Sequence, residues 1–269
     1  MKINKSIIAC AVVLALGAQQ SAFAASEDVK DTSANTISTD MMIDAVGNVI
    51  VLSQDSGPSA TLGNDVRLTQ DGDANGIDAA VNGDGNATEV MQIGSENISV
   101  SNSTGDVNTV TIEQDGIDNQ AETLITGSEN TVEVAQSGDG YLGIGNAAIN
   151  KIEGDDNSVT MEQGAGGHWS YNKNMVGSGN TVATMQSGEW GEIHLDNVIG
   201  DNNNIEIEQD GYWNEARVTD LQGHNNELVL DQEGYRNKVE ITEIIGEDNE
   251  IQIDQEGENN AVVSNIFTG

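Results

Sequence analysis

An Asn followed six residues later by a Gln recurs ten times in this chain, and that recurrence limits the fold more than any other feature of the sequence. The pairs are Asn48/Gln54, Asn64/Gln70, Asn86/Gln92, Asn108/Gln114, Asn130/Gln136, Asn157/Gln163, Asn180/Gln186, Asn203/Gln209, Asn226/Gln232 and Asn249/Gln255. From Asn64 onward successive pairs lie 22, 22, 22, 27, 23, 23, 23 and 23 residues apart, which marks one supersecondary unit repeated along the chain. Each full unit reads Gly-x-x-Asn-x-h-x-h-x-Gln-x-Gly-x-x-Asn with h usually aliphatic, as in Gly105 to Asn119. Strict alternation over seven residues predicts a strand. With a side-chain period of two, the Asn, both h residues (Val110 and Ile112, or Ile205 and Ile207) and the Gln share one face, while Thr, Glu, Ser and Asp fill the other.

An inward face with an amide at each end of an aliphatic pair is costly unless every amide finds a partner. Stacking unit on unit at about 4.8 Å supplies the partners: identical Asn and Gln side chains bond along the stack, and the aliphatic pairs close into a dry zipper. Glycines at the start of the unit and two residues after the Gln supply the bends. A second, looser strand-like segment follows the second Asn, as in Asn119 to Ile125, Asn237 to Ile245 and Asn260 to Ile266. The expected fold is therefore all-β, an amyloid-like β-solenoid of stacked strand-turn-strand repeats. Ten rungs of 22 to 23 residues would rise roughly 45–50 Å.

Departures from the pattern are expected where the spacing changes. The first copy precedes the next by only 16 residues, with Gly57 and Pro58 between them, and reads as a half unit or cap. An insertion falls around Gly140 to Gly145, and His168 and Gly191 replace the second Asn in two units where Trp169, Tyr171 and Trp190 crowd the turns.

At the N-terminus Lys2 and Lys5 precede an apolar run from Ile7 to Ala18, and Ala22-Phe23-Ala24 offers a signal-peptidase site. The expected organisation is a signal peptide over 1–24, a flexible leader over 25–45 and a repeat solenoid over 46–269. The apolar run is too short to span a bilayer, so export and release is the reading. Cys10 lies in that first segment, so the exported chain has no thiol for a disulfide, a nucleophile or a metal. The full chain carries 9 Lys and Arg against 45 Asp and Glu, a formal charge of -36. Removing Lys2 and Lys5 leaves 7 minus 45, or -38. Such a surface repels phosphate backbones and anionic lipids, which excludes nucleic acid and acidic membranes as partners.

Sharper sites are weighed against blander explanations. Asp71, Asp73 and Asn75 have the D-x-D-x-N-G spacing of a calcium loop, but position twelve is Asn82, and Asn75 is already required by the repeat. Turn carboxylates at equivalent positions, Asp106, Asp155, Asp201 and Glu247, are expected to form a solvated face, with weak calcium binding as the alternative. No cofactor is expected. His168, His194 and His224 sit in three different units, no carboxylate pair stands out from the many present, and no enzymatic activity is expected. Trp169, Tyr171, Trp190, Tyr212 and Trp213 are read as turn aromatics covering a flank, with carbohydrate stacking as the alternative.

These units resemble the curlin family, whose repeats form the subunits of curli, secreted amyloid fibres of the bacterial biofilm matrix. The resemblance covers about Asn48 to Ile266 and includes Gln209/Gly211/Asn214, Gln232/Gly234/Asn237 and Gln255/Gly257/Asn260. The family's final Gln is replaced here, by Ser103, Ile125, Asp220, Glu243 and Ile266 among others. The resemblance implies a homopolymer on the cell surface, a second curlin-like subunit as nucleator or co-polymer, and an outer-membrane secretion pore that reads the leader. A soluble, acidic, calcium-responsive β-solenoid adhesin is the alternative.

Overall fold

The structure, a computed structural model, describes residues 26–30, 36–41, 47–56, 62–138, 145–264 and 267–268. The expected signal peptide, and the insertion at 139–144 with it, lie outside the described residues. The chain coils between two sheets, and every strand pairing is parallel and joins consecutive coils. Sheet B holds the strands opened by the Asn-x5-Gln motif, from Asp65–Asp73 and Ala87–Ser95 to Glu227–Tyr235 and Glu250–Glu258. Sheet A holds the intervening segments, from Val49–Asp55 and Gly76–Asn82 to Lys238–Ile241 and Ala261–Ser264. Among the described residues the result is a β-solenoid of about 9 turns without a helix, and no helix there is long and apolar enough to cross a membrane.

Register explains the core. In sheet B, Val110 pairs with Val132 and Ile112 with Val134, so like stacks on like along the axis. Val66, Leu68, Val110, Ile112, Val132, Val134, Val159, Ile205, Ile207, Leu228 and Leu230 are buried in one core cluster with Ile77, Ile125, Ile152, Val198 and Ile244 from sheet A. The sheet A interior is more polar. Ala79, Ser101, Thr123, Asn150 and Asn172 follow one another in register, and all five are buried.

The glycines follow from the close approach of successive coils. Gly116 has φ +123, and a Cβ there would overlap the carbonyl oxygen of Gly138 in the next coil. Gly105 stands in the same relation to Gly127 at the opposite bend. Only glycine fits both the backbone angle and the space.

Three placements differ from the sequence expectation. Val49–Asp55, which follows Asn48, lies in sheet A, not sheet B: Ile50 pairs with Ile77 and Gln54 with Val81. The motif Asn48/Gln54 therefore opens a second half-coil, and the 16 residues to Asn64 are the usual 11 between half-coils, as from Asn75 to Asn86, plus five. Second, the position of the missing final Gln is filled by Val81, Ser103, Ile125, Ile152, Met175, Val198, Leu221 and Ile244. Leu221 and Ile244, not Asp220 and Glu243, take it because each 23-residue unit carries one extra residue inside its second strand. The register shift appears first between Asn150/Asn172 and Ile152/Met175. Beyond it the second strand is split, as Glu192–His194 with Asn197–Ile199 and Glu215–Arg217 with Asp220–Gln222. Asp196 and Thr219 take positive φ at the break. Third, within the stretch read as a leader, Ser26–Lys30 pairs with sheet A and Thr36–Met41 with sheet B. Ile37, Thr39 and Met41 stand in register with Val66, Leu68 and Gln70, so this is a coil whose Gln position holds Met.

Candidate functional site

The chemistry of this molecule is concentrated in its interior amides. Asn108 shows the pattern of the first column. Its Oδ1 accepts from the backbone N–H of Asn130 at 3.0 Å and from Asn130 Nδ2 at 3.0 Å. Its Nδ2 donates to Asn86 Oδ1 at 3.1 Å and to the Gly127 carbonyl at 2.8 Å. Both lone pairs and both N–H groups are used, the full capacity of an amide. The same side-chain bond links Asn64, Asn86, Asn108, Asn130, Asn157, Asn180, Asn203, Asn226 and Asn249, at 2.8 to 3.1 Å.

The Gln column runs the other way. Gln70 Nε2 donates to Gln92 Oε1 at 2.9 Å, and the chain of bonds continues through Gln114, Gln136, Gln163, Gln186, Gln209 and Gln232 to Gln255. Asn donors point toward the N-terminal end of the stack and Gln donors toward the C-terminal end. A second Nε2 bond reaches sheet A, from Gln114 to the Ile98 carbonyl at 3.0 Å, and ties the two sheets within a coil.

Sequence reasoning did not place a third ladder, in sheet A. Asn97 Nδ2 donates to Asn75 Oδ1 at 3.1 Å, Asn119 to Asn97 at 3.0 Å and Asn146 to Asn119 at 3.1 Å. The signal was the Asn five residues after each Gln. Asn48 belongs here, since its Oδ1 accepts from the Asn75 N–H at 2.9 Å. Gln54 joins no Gln ladder and donates to the Asn64 carbonyl at 3.0 Å.

His168 stands in for Asn in this ladder. Its backbone N–H donates to Asn146 Oδ1, its Nδ1 accepts from the Gly191 N–H at 3.1 Å, and its Nε2 lies 3.1 Å from the Gly188 carbonyl. One ring nitrogen replaces the amide oxygen and the other the amide nitrogen, which fixes the neutral tautomer with hydrogen on Nε2. Burial pushes the imidazole below its ordinary pKa, against the opposing pull of bonds to the Gly188 and Gly164 carbonyls. At Gly191 the ladder has no side chain, and it resumes when Asn237 donates its N–H to Asn214 Oδ1.

The structure does not bring the calcium-loop residues to one point. Asn75 turns inward, where its Nδ2 donates to the Gly94 carbonyl at 3.0 Å, while Asp71 and Asp73 lie on the exposed face of Asp65–Asp73. Among the described residues no group of three or more His, Cys, Asp and Glu is placed to hold a metal ion. The turn carboxylates bridge coils: Asp106 Oδ1 accepts the Asp84 N–H at 2.8 Å, Asp155 the Ser128 N–H at 2.7 Å and Asp201 the Ser178 N–H at 2.8 Å. Trp190 and Trp213 stack face to face at 5.6 Å, and Arg236 lies over Trp213. Those ring faces are taken by each other.

A family model described as the curlin associated repeat matches residues 105–138 and 200–241. These two stretches carry curlin repeats. The first match spans Asn108, Gln114, Asn119, Asn130 and Gln136, and the second Asn203, Gln209, Asn214, Asn226, Gln232 and Asn237, so each match covers residues of all three amide columns. A search of curated proteins gives no match to the chain. The curlin family is one of structural fibre subunits, and the curlin repeat suggests such a subunit here.

Proposed function

We propose that the protein is a secreted structural subunit of an extracellular curli-like amyloid fibre that grows by adding the coils of one copy to those of another. The observation that supports this reading is the in-register repetition of the coil. From Asp65–Asp73 to Glu250–Glu258 each sheet B junction uses the same parallel backbone pairing and the same Asn and Gln bonds, and all but Thr88 and Thr184 of the paired inward positions are aliphatic, so a sheet B junction between copies needs no new chemistry. At the C-terminal end of the described stack, the coil of Glu250–Glu258 and Ala261–Ser264 leans Ile251 and Ile253 on the core with their outer sides half open. It carries Asn249, Gln255 and Asn260 in the same columns. The charge opposes assembly: Glu208, Asp231 and Asp254 follow one another in register, and Asp210, Glu233 and Glu256 do likewise.

Purified chain from residue 25 onward, diluted from denaturant, is expected to form seedable fibres with a reflection at about 4.7–4.8 Å. Salt and calcium are expected to shorten the lag by screening the carboxylate columns. A stable, sheet-rich monomer that never seeds would refute the fibre reading and leave the soluble solenoid. A lag unchanged by salt, calcium and acid would refute the electrostatic account.

A further inference from the structure

The two sheets do not hold the same number of strands. Among the described residues sheet A runs through eleven successive strands, from Ser26–Lys30 to Ala261–Ser264, and sheet B through ten, from Thr36–Met41 to Glu250–Glu258. The described chain alternates between the sheets and both starts and finishes in sheet A. Where the C-terminal end of one such stack meets the N-terminal end of another, two sheet A strands follow each other with no sheet B strand between them. Sheet B is then one strand short at the seam, and the gap of about 4.8 Å leaves two strand edges unpaired. One sheet A strand per copy has to give up its place. The register selects Ser26–Lys30. It pairs only with Val51 to Asp55, so Val49 and Ile50 lie beyond its reach. It sets Glu27 on the core residue Leu52, and Val29 on Gln54, whose Oε1 is buried without a hydrogen-bond partner. Ala261–Ser264, by contrast, continues matched columns: Val262 is in register with Val239, and Asn260 donates its backbone N–H to Asn237 Oδ1 at 3.2 Å.

We infer that Ser26–Lys30 is a displaceable cap: in the polymer it leaves the edge of Val49–Asp55, and Ala261–Ser264 of a second copy takes its place. The inference rests on the fibre reading and adds which strand closes the seam. Carried one coil further, the register of the last strand lays Val262 on Ile50 and Val263 on Val51, and the Asn48 N–H donates to Asn260 Oδ1 as the next step of the third ladder. Thr36–Met41 then falls on Glu250–Glu258 with Ile37 over Ile251, and each sheet carries ten strands per copy. In the single molecule the cap covers the edge that elongation needs, so the copies ready to join are those with the strand released.

The chain from residue 25 onward has no cysteine, so single cysteines report contacts between copies. Val51 and Val263 are 39 % and 63 % exposed, and a cysteine at either leaves the core intact. Fibres grown from an equal mixture of Val51→Cys and Val263→Cys chains are expected to give disulfide-linked pairs on mild oxidation, since adjacent strands hold paired Cα atoms within disulfide range. The yield is expected to be about tenfold that of Val263→Cys mixed with Ser26→Cys, whose position the displaced cap carries out of reach. Linkage through Ser26→Cys instead would mean that the cap stays. Linkage through Asp78→Cys, at the position paired with Val51, would mean that Val49–Asp55 leaves with it. Either result overturns the inference, as does linkage to none of the three. A chain shortened to begin at residue 31 is expected to elongate wild-type seeds on the order of tenfold faster, because every copy then presents the open edge. An equal or slower rate would overturn the inference. Wild type that forms no fibres refutes the fibre reading and this inference together, whereas fibres linked through Ser26→Cys refute the inference alone.

Discussion

Replacing Asn108 with Ala and, separately, Asn249 with Ala tests whether the ladders hold the fold together or merely accompany it. The two residues occupy the same column, but Asn108 has a coil on either side and Asn249 only one among the described residues. Asn108→Ala removes two bonds accepted by Oδ1 and two donated by Nδ2. It leaves the buried Asn130 N–H without its acceptor. At a net ~1 kcal/mol per bond, with a further ~1–3 kcal/mol for an orphaned buried donor, the loss is about 5 to 7 kcal/mol. Asn249→Ala removes the 2.8 Å bond to Asn226 Oδ1 and keeps the backbone bond to the same oxygen, in a half-buried setting. Its loss is about 1 kcal/mol. Urea unfolding of dilute monomer, followed by circular dichroism with equal slopes, reads the difference as a shift in midpoint. Equal midpoints for the two variants would refute the claim that stability scales with the number of ladder bonds a coil completes.

Gly116→Ala is expected to cost more than about 3 kcal/mol or to abolish folding, because the added methyl meets the Gly138 carbonyl at a positive φ. Gly76→Ala, with open space around it, is expected to be neutral or to stabilise by about 0.5 kcal/mol, and thermal melts of the pair check the contrast. Burial depresses the His168 pKa below 6.5, so the unfolded chain binds this proton more readily than the folded one. Stability from this residue is complete above pH ~6.5 and falls as pH drops through the folded-state value. His168→Asn is expected to remove that fall, and denaturation midpoints between pH ~5 and ~7 that are alike in both chains would contradict it. The Ser101 hydroxyl is buried without a protein partner, and Ser101→Ala is expected to raise stability by up to about 1 kcal/mol in the same urea assay.

Much of the fold could be read because one unit satisfies local and global demands together. Val110 and Ile112 are inward by strand alternation and stack on their equivalents by period, so neither reading conflicts with the other. What could not be read came from places where a motif matched by composition but not by phase. Asn48 and Gln54 satisfy the Asn-x5-Gln spacing, yet sheet A also opens most of its strands with Asn, and nothing local distinguishes the two half-coils. Asp220 and Glu243 were counted at buried positions because spacing assumes a regular strand. The bulge that brings Leu221 and Ile244 inward is visible only as a period of 23 in place of 22. Thr36–Met41 escaped notice because Met41 stands where Gln is expected and its neighbours are Ser, Thr and Asp. The metal spacing at Asp71, Asp73 and Asn75 assumes that all three share one face, whereas the strand ends at Asp73 and the positive φ of Ala74 turns Asn75 inward, away from the two exposed carboxylates.

The added residue that shifts the register at Trp169–Val176 and splits the second strand beyond it divides the solenoid into two gauges. Ser26–Lys30, the first described strand of sheet A, and Val49–Asp55 beside it are continuous, while the last coil keeps the 23-residue register of Lys238 on Ala261 and Ile241 on Ser264. In a polymer joined end to end, each seam therefore sets a kinked strand on a straight one, a mismatch met once more inside every subunit where Ala147–Glu153 meets Trp169–Val176. Sonicated fibres would then fracture at these faults, and their fragment lengths would fall on multiples of a fixed step rather than on a smooth distribution.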